Sequence, residues 1–301
     1  MTIGFIGLGR MGGPMCRNIV RAGFDVLAYD LSSDAVRACT AAGAGAAGSI
    51  AELAGAADVI FSSLPMPSDV EAAALGAGGV AAHARPGTAY FDLSTNSPAA
   101  ARRIAAELER GGIAMFDAPV SGGPAGAEAG TLALMVGGDE ALFDEHRTLL
   151  ETIGSNVIYV GPIGSGLVVK LINNLLGLVS VAAACEGLML GAQAGVDVRV
   201  LDSVIRCSSG DSGAYRALAD RALSGDYAAA FALDLAYKDV HLALELADEL
   251  GVPAPLGAST HNLMRMARGM GLGDQDPTVM MRVYEEPFGR VVRDGATVTA
   301  P

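Results

Sequence analysis

The stretch Gly164-Ser-Gly-Leu-Val-Val-Lys-Leu-Ile-Asn-Asn174 begins a segment that contains no proline, is dense in Leu, Val and Ala, and runs to about Gly195. The pattern predicts one long helix that a glycine turn opens and Gly195 closes. Because the segment is apolar nearly all round, we expect the helix to be buried. It divides the chain, since alternating strands and helices are predicted before it and helices alone after it.

Three polar side chains interrupt this segment near its beginning, namely Lys170, Asn173 and Asn174. Spacings of three and four place both amides on the side of the helix that carries the lysine. Burial lowers the pKa of a lysine, which makes it a good proton carrier near neutral pH. The alternative is a lysine at a helix end whose stem covers apolar surface while its ammonium reaches solvent. The segment alone leaves both interpretations open.

The composition bounds the class of protein. The chain has 301 residues, of which 51% are hydrophobic, which suggests two domains with ample cores. A net charge of -13 argues against nucleic acid or an anionic membrane as the main partner, although a small anionic substrate remains compatible with a locally positive site. The scattered histidines and cysteines predict no metal site and no disulfides; we expect free, buried thiols at Cys16, Cys39, Cys185 and Cys207.

The sequence predicts neither a signal peptide nor an apolar run long enough to span a membrane. The first residues lead directly into a strand, without a basic region and a cleavage site. The most apolar run, Leu175–Cys185, is too short to span a bilayer. We therefore predict a soluble, cytoplasmic protein.

The first thirty residues predict a strand, a glycine loop, a helix, a second strand and an acid. The apolar run Thr2–Ile6 precedes Gly7-Leu8-Gly9-Arg10-Met11-Gly12, and a second apolar run, Asp25–Tyr29, ends at Asp30. This order is typical of a dinucleotide-binding unit, in which the whole loop contacts the cofactor. The alternative is a glycine-rich turn with a purely structural role.

Each glycine of the loop has a separate function in such a unit. Gly7 allows the tight turn, Gly9 lets the pyrophosphate approach the backbone, and Gly12 lets the helix pack on the strand. Asp30 is positioned to bind the ribose hydroxyls and would repel a 2′-phosphate. No arginine follows in Leu31-Ser32-Ser33, so the sequence favours NAD over NADP.

Polar and proline residues follow two later strands of the predicted sheet. Leu64 and Pro65 end the apolar run that begins at Asp58, and Ser94 and Thr95 follow the run Ala89–Asp92. Ligands bind at the carboxyl ends of strands in open α/β sheets, so these residues are candidates to line the cofactor. The alternatives are a proline that only ends its strand and hydroxyls that, with Asn96 or Ser97, only cap the next helix.

Ser121-Gly122-Gly123 follow a further strand, predicted over Ala114–Pro119. Successive backbone N–H groups in such a turn form an anion-binding nest. A substrate carboxylate is the expected anion.

The residues after the long helix predict only helices. One of them carries Lys238 and His241. Lys238 has either a functional role or a place on a solvated face of the helix. We expect His241 to have a packing or surface role. The turn Ser208–Asp211 is either a substrate contact or a plain connection, and the tail from Val292 is expected to fray. The predicted helices cover Val198–Cys207, Ala214–Leu223, Leu233–Gly251, Gly257–Gly269 and Pro277–Val283.

The sequence therefore predicts an α/β protein of two domains. Residues 1–162 form a Rossmann-type dinucleotide-binding domain, and residues 163–301 form an all-helical domain that the long helix joins to it.

Four stretches together resemble the β-hydroxyacid dehydrogenase family, which includes 3-hydroxyisobutyrate dehydrogenase and tartronate semialdehyde reductase. The resemblance covers essentially the whole chain, and its motifs occur in the family's order. They are Gly4-Phe-Ile-Gly-Leu-Gly-Arg-Met-Gly-Gly-Pro-Met15, Asp117-Ala-Pro-Val-Ser-Gly-Gly123, Gly164-Ser-Gly-Leu-Val-Val-Lys-Leu-Ile-Asn-Asn174 and Lys238-Asp-Val-His-Leu-Ala243.

The resemblance implies a role for individual residues. Lys170 would be the catalytic lysine, Asn174 would help to hold the substrate, and the Ser121–Gly123 turn would bind its carboxylate. Thr95 and Lys238 would contact the cofactor. The family is also usually dimeric or tetrameric through its helical domain. Asparagine at 173 and lysine at 170 separate the chain from the decarboxylating 6-phosphogluconate dehydrogenases and the imine reductases, respectively.

The resulting functional hypothesis is hydride transfer between NAD and the C3 hydroxyl of a small 3-hydroxy acid, with Lys170 carrying the proton. We expect 3-hydroxyisobutyrate, which gives methylmalonate semialdehyde, as the substrate. The alternatives are reduction of tartronate semialdehyde (2-hydroxy-3-oxopropionate), another short β- or γ-hydroxyacid, and a catalytically silent dinucleotide-binding sensor.

Overall fold

The computed structural model describes residues 1–293. The chain divides into two compact units, Met1–Lys170 and the residues from Leu171 onward. The division lies inside the long helix, a few residues after the domain boundary that the sequence placed at 162.

The first unit is built on one sheet, so the α/β fold is confirmed. The strands of the sheet follow the order β3-β2-β1-β4-β5-β6-β8-β7, and β9 pairs with β8. From β3 to β6 all pairs are parallel, whereas β8 is antiparallel to β6 and β7. The strands are β1 (Thr2–Ile6), β2 (Asp25–Tyr29), β3 (Gly45–Ala46), β4 (Val59–Ser62), β5 (Ala89–Asp92), β6 (Ala114–Asp117), β7 (Val120–Ser121), β8 (Leu132–Gly137) and β9 (Gly154–Gly161).

Helices connect the parallel strands, and side-chain caps fix several of their beginnings. Ser97, rather than Asn96, caps the sixth helix by accepting a hydrogen bond from the N–H of Ala100. Asp139 caps the eighth in the same way, through the N–H of Leu142. The helices are α1 (Gly12–Arg21), α2 (Ser33–Thr40), α3 (Ile50–Ala56), α4 (Pro67–Leu75), α5 (Val80–His83), α6 (Pro98–Arg110), α7 (Gly123–Ala129) and α8 (Glu140–Leu150).

Several short elements of this unit were not predicted from the sequence. They are α4, α5, α7 and the two-residue strands β3 and β7. Each offers too few residues for a hydrophobic period to be recognised, and the helix after Gly122 begins within what the sequence presents as a loop.

The two faces of the sheet carry separate hydrophobic cores. On one face Phe5, Phe61, Phe91 and Phe116 stack in sequence across neighbouring strands. The other face buries a second cluster, which includes Ile6, Ile60, Tyr90 and Met115. Side chains alternate between faces along each strand, so a strand buried on both sides is apolar throughout.

The strand order changes direction at the first strand. From β1 the chain proceeds to β2 and β3 on one side and returns to β4 on the other. In open parallel sheets this arrangement leaves a crevice between the carboxyl ends of the two adjacent strands, where ligands bind. The glycine loop begins at that end of β1.

The long helix is α9, Ser165–Gln193, as the sequence predicted. The expectation that it is buried all round is wrong, because Leu176 is 65% and Leu190 73% exposed. Among the described residues it is the one helix whose length and hydropathy are sufficient for a membrane span, with 33% of the apolar window buried. The shorter run Leu175–Cys185, which by itself is too short to span a bilayer, did not predict that α9 as a whole is long and apolar enough for a membrane span. Core helices of soluble proteins share this property.

The second unit is helical, and no strand occurs in the described residues from 171 to 293. Its core gathers side chains such as Leu188, Leu218, Val240 and Met264. The last predicted helix is in fact a 3₁₀ turn, Pro277–Met280, followed by a helix that continues to Phe288. The helices are α10 (Val198–Arg206), α11 (Gly213–Ser224), α12 (Leu233–Glu249), α13 (Pro255–Gly269) and α14 (Met281–Phe288).

Two expectations from the sequence need correction. Val292 is not frayed: its side chain is buried, and its N–H donates to Glu285 Oε1 over 2.7 Å; the rest of that predicted tail, residues 294–301, lies outside the described residues. All four cysteines are free thiols, but Cys207, which follows the last residue of α10, is exposed. The Cys39 thiol donates to the carbonyl oxygen of Gly13 over 3.8 Å.

Candidate active site

The glycine loop has the packing that its motif predicts. Gly7 has a φ of +87°, and a Cβ at this position would collide with the carbonyl of Ser63. A Cβ at Gly12 would collide with the carbonyl of Gly7, so α1 lies directly against the loop. Gly9 is exposed and has no atom within 4 Å of where a Cβ would be. The loop is therefore packed against the protein at Gly7 and Gly12 and exposed at Gly9, its open crest, which leaves room for a pyrophosphate.

Asp30 immediately follows β2 and lies beside this loop. Its carboxylate accepts hydrogen bonds from the N–H of Leu8 over 2.6 Å and from the N–H of Ser32 over 2.7 Å. Each carboxylate oxygen keeps a further lone pair that a ribose hydroxyl can use. That Asp30 belongs to the cofactor site stays a prediction, and its contact with Leu8 shows that it also holds the loop.

A buried hydrogen-bond network joins the loops after β4 and β5. The N–H of Leu64 donates to Ser94 Oγ over 2.9 Å. Ser62 Oγ and the N–H of Ser94 both donate to Asp92 Oδ1, over 2.9 and 3.1 Å. Ser94 Oγ therefore helps to position the Leu64–Pro65 segment. Its neighbour Thr95 is only partly buried.

The side chain of Asn96 has a donor group available at the same edge. Asn96 is fully buried, and its Oδ1 accepts a hydrogen bond from the N–H of Ser97 over 2.7 Å. Its Nδ2 has no hydrogen-bond partner within residues 1–293. An unsatisfied buried donor is costly, so this amide is a candidate ligand contact that the sequence offered only as a helix cap.

The Ser121-Gly122-Gly123 turn contains two glycines with positive φ angles, and its role as an anion-binding nest stays a prediction. Gly122 and Gly123 have φ angles of +133° and +63°, and both are exposed. Ser121 ends β7, and α7 begins immediately at Gly123. L-residues with a Cβ rarely adopt these angles, so the conformation of this turn requires the two glycines.

Lys170 lies in the second turn of α9 and is 8% exposed. The alternative of an ammonium that reaches solvent from a helix end therefore does not fit the structure. The beginning of this helix is held by Asp117, at the end of β6. The Asp117 carboxylate accepts hydrogen bonds from the N–H of Gly164 over 2.6 Å and from that of Leu167 over 2.7 Å.

Asn174, one turn after Lys170, lies in the second unit. Its Nδ2 donates to Asp239 Oδ2 over 2.7 Å. Asp239 Oδ1 lies 3.2 Å from Lys238 Nζ, and the Lys238 side chain is only 11% exposed, so this lysine is not on a solvated helix face. Asn173 is exposed and Asn174 is half-buried.

Two further residues have surface roles in the structure. His241 is exposed and pairs with Glu245, in agreement with its predicted role. In the Ser208–Asp211 turn, the Asp211 carboxylate is engaged by Arg216. The described residues contain no group of His, Cys, Asp and Glu side chains that could hold a metal ion.

The structure thus groups the candidate residues in two sets. The glycine loop, Asp30, Leu64 and Thr95 lie where β1, β2, β4 and β5 end, and Ser121–Gly123 and Lys170 belong to the same unit. Asn174 and Lys238 meet at Asp239 in the second unit. The residues that the sequence did not select, Asp92, Asp117 and Asp239, are the buried carboxylates that hold these groups in place.

Two family models together match nearly the whole chain. The NAD-binding domain of 6-phosphogluconate dehydrogenase matches residues 2–161, and the NAD-binding domain of NADP-dependent 3-hydroxyisobutyrate dehydrogenase matches residues 164–284.

Individual proteins show the same similarity over their full lengths. The chain is 42% identical to 2-(hydroxymethyl)glutarate dehydrogenase of Eubacterium barkeri, with 98% of each chain covered. It is 38% identical to the NAD-dependent L-serine dehydrogenase of Pseudomonas aeruginosa, covering 96% of this chain and 99% of that one. The structure of 3-hydroxyisobutyrate dehydrogenase of Mycobacterium tuberculosis with L-serine matches with a TM-score of 0.86 and 33% identity, covering 94% and 98%.

The chain belongs to the β-hydroxyacid dehydrogenase family. It is an oxidoreductase with an NAD(P)-binding Rossmann domain, and its relatives are dehydrogenases of small hydroxy acids. The open crest at Gly9 and the carboxylate of Asp30 fit a bound dinucleotide.

Proposed function

We propose that the protein is an NAD-dependent dehydrogenase that oxidises the hydroxymethyl group of a 2-substituted 3-hydroxypropanoate. The preferred candidate is 3-hydroxyisobutyrate, which is converted to methylmalonate semialdehyde. The observation that carries the proposal is the buried Lys170 on a helix that hydrogen bonds fix to the end of β6. A dinucleotide-binding sensor would have no use for a buried lysine in that position.

The names of the relatives support this substrate class. L-Serine, 3-hydroxyisobutyrate and 2-(hydroxymethyl)glutarate each carry a CH₂OH group and a carboxylate on the same carbon atom. They differ only in the third substituent of that carbon, which is an ammonium, a methyl or a carboxyethyl group. The proposed reaction needs only the shared part of the molecule.

The residues of the chain would divide the work as follows. The N–H groups of the Ser121–Gly123 turn bind the carboxylate. The Nζ atom of Lys170 takes the proton from the hydroxyl oxygen during oxidation and returns it during reduction. Asn174, whose side chain Asp239 orients, holds the substrate hydroxyl.

A bound dinucleotide would supply the hydride acceptor for oxidation of the carbinol carbon and the hydride donor for reduction of the aldehyde. The loop Gly7–Gly12 and Asp30 would bind its pyrophosphate and ribose, and Leu64, Pro65, Thr95 and Lys238 would contact the remainder. NAD is the proposed cofactor because a 2′-phosphate would meet the Asp30 carboxylate and no arginine occurs in Leu31-Ser32-Ser33, which follow it.

A second substrate, 2-(hydroxymethyl)glutarate, is favoured by the 42% identity to the enzyme named for it. Its additional carboxylate would require a cation or further N–H donors in the pocket, which 3-hydroxyisobutyrate would not. The ratio of kcat/KM for the two acids distinguishes them.

The proposal extends to assembly and location. A homodimer or homotetramer in the cytoplasm would cover the apolar residues that α9 and α10 expose, among them Leu176, Leu190, Val200 and Val204. Contact with a second copy suits them better than lipid, since α9 also carries Lys170 and Glu186.

The test of the reaction is formation of NADH, followed at 340 nm, with 3-hydroxyisobutyrate, 2-(hydroxymethyl)glutarate, L-serine and glycerate. Each acid is tested with NAD and with NADP. We expect turnover of 3-hydroxyisobutyrate with NAD. A preference for glycerate would indicate tartronate semialdehyde reduction instead, and NADH binding without turnover of any acid would support the sensor.

Lys170→Ala tests the proton carrier. Loss of general acid–base catalysis is expected to lower kcat about 10²–10⁴-fold while NADH still binds. A variant with nearly native turnover would rule out the proposed mechanism.

A further inference from the structure

Asp117 is a buried carboxylate with two hydrogen bonds to the helix that carries Lys170. The residue is 1% exposed and ends β6. Its Oδ1 accepts a hydrogen bond from the N–H of Gly164, and its Oδ2 accepts one from the N–H of Leu167. The two donors are three residues apart at the beginning of α9, so the two bonds fix both the height of the helix and its rotation about its axis.

The packing around these bonds leaves no room for adjustment. A Cβ at Gly166 would collide with the carbonyl of Met135 and lie 2.7 Å from that of Asp117. A Cβ at Gly137 would collide with the Asp117 carboxylate and lie 2.9 Å from the carbonyl of Pro162. The first turn of α9 is thus seated directly on the ends of β6 and β8.

The surroundings of Asp117 have opposing effects on the ionised form of its carboxylate. The pKa of Asp117 is raised to about 7, chiefly by burial and also by the nearby Asp92, while the hydrogen bonds from Gly164 and Leu167 oppose this shift. Asp92 is the register partner of Asp117 on β5, and the Arg102 guanidinium of α6 lies beside Gly164. The positive end of the helix dipole favours the ionised form.

We propose that Asp117 is a positioning residue for proton transfer, which sets the location of Lys170 through the first turn of α9. The same strand end leads through Pro119 into β7 and the Ser121–Gly123 turn. Asp117 therefore connects the proton carrier and the carboxylate-binding turn within one rigid unit. The inference rests on the proposed function, in which Lys170 carries the proton.

The size of the effect follows from helix geometry. A side-chain tip lies about 5–6 Å from the helix axis, so a rotation of about 10° moves it by about 1 Å. A misplacement of about 1 Å in a catalytic group costs up to about 10²-fold in rate. Lys170 follows Leu167 by three residues, so loss of the bond at Leu167 acts directly on its position.

The test compares Asp117→Ala and Asp117→Asn with Asp139→Ala, which removes the cap of α8, a helix of the same unit that carries no candidate site residue. We expect Asp117→Ala to lower kcat about 10²-fold. Asp117→Asn, which keeps one acceptor oxygen, should recover about tenfold of this loss. Asp139→Ala should lower the Tm but change kcat less than about twofold. NADH affinity, followed by fluorescence, should stay within about twofold of native for every variant.

The deuterium isotope effect on kcat, with substrate deuterated at the carbinol carbon, separates positioning from a loss of folded enzyme. A misplaced proton carrier slows the chemical step, so the isotope effect should rise in the Asp117 variants. A variant that is only partly folded would lower kcat with the native isotope effect. That result would overturn the proposal.

Gly166→Ala provides a second test if Asp117→Ala does not fold. Its methyl group moves the helix away from the strand ends without removing a charge. We expect the same combination of a lowered kcat and a raised isotope effect. Native values of both in Gly166→Ala and in Asp117→Asn would overturn the positioning role.

Lys170→Ala, measured alongside, keeps the two hypotheses distinct. If Lys170→Ala is inactive while folded Asp117 variants have native kcat and isotope effect, the positioning role is wrong and the proposed function stands. If Lys170→Ala retains turnover, the proposed mechanism itself fails.

Discussion

The glycine loop after β1 and the beginning of α9 are both junctions at which a helix meets the end of a strand without space for a side chain. In the loop, Gly7 and Gly12 exclude a Cβ through contacts within a few residues of each other or with the adjacent strand end. At α9, the contacts join Gly137, Gly166 and Asp117, which come from three separate elements. A local junction, between residues that are close in the sequence, can therefore be recognised as a motif. A distant junction, between residues that are far apart in the sequence, cannot, because each of its residues stands alone.

The largest effect is expected at the local junction. Gly12→Ala places a methyl group against the rigid carbonyl of Gly7, so we expect NADH affinity to fall at least about 10²-fold or the protein not to fold. Gly9→Ala, where a Cβ meets no protein atom, should keep the native Tm but lower NADH affinity about tenfold. Fluorescence titration and thermal unfolding check both; equal effects on stability would contradict the assignment of different roles.

The Asp117 carboxylate, at the junction between the beginning of α9 and the sheet, should make the stability of the protein depend on pH. Its pKa is about 7 in the folded protein and about 3.9 when unfolded. The folded protein therefore keeps a proton that the unfolded chain releases, and this contribution is full below about pH 4 and lost as the pH rises through about 7. The free energy of unfolding of the native protein relative to Asp117→Asn should fall by about 2–4 kcal/mol between pH 4 and 8.

Urea unfolding of both proteins at several pH values measures this difference. A relative stability that rises with pH would show that the N–H groups of α9 stabilise the carboxylate more than burial destabilises it.

Gly137→Ala tests the distant junction from the sheet side. The added methyl group would collide with the Asp117 carboxylate, which we expect to cost about 1–3 kcal/mol in stability. It should also lower kcat, although Gly137 belongs to none of the four motifs. Chemical denaturation and steady-state kinetics check both, and a loss of stability with native kcat would separate the junction from catalysis.

We expect Asp30 to determine the choice between NAD and NADP. Replacing Asp30 with Ser and Leu31 with Arg removes the carboxylate that would repel a 2′-phosphate and supplies a cation. The ratio of kcat/KM for NAD to that for NADP should fall about 10–100-fold. Because Asp30 also accepts the N–H of Leu8, some loss of affinity for both cofactors is expected. An unchanged ratio would contradict the role of Asp30.

The smallest effect concerns a glycine at neither junction. Gly187 is exposed within α9, and a Cβ there meets no atom within 4 Å. Gly187→Ala should raise the free energy of unfolding by about 0.5–1 kcal/mol, because alanine has the higher helix propensity. Thermal unfolding checks this, and a loss of stability would indicate that this part of the helix surface is occupied in the assembled protein.

The sequence was informative wherever an element is long or a motif is local. It predicted β1, the loop, α1 and β2, and it predicted α9 to within two residues at its end. It was less informative about burial: the apolar pattern of α9 does not show that Leu176 and Leu190 remain exposed. An apolar helix face has the same composition whether it meets the core of its own chain or another molecule.

The sequence by itself determined the dinucleotide-binding unit, because its strand, turn and helix form contacts within the first thirty residues. It also made Lys170 a candidate, because a charged residue in an apolar helix stands out without any structure. Only the tertiary structure decided what holds these residues in place. Asp117 meets Gly164 and Leu167 across 47 and 50 residues, and Asp239 meets Asn174 across 65. Such pairs depend on how the whole chain folds, and no local pattern encodes them.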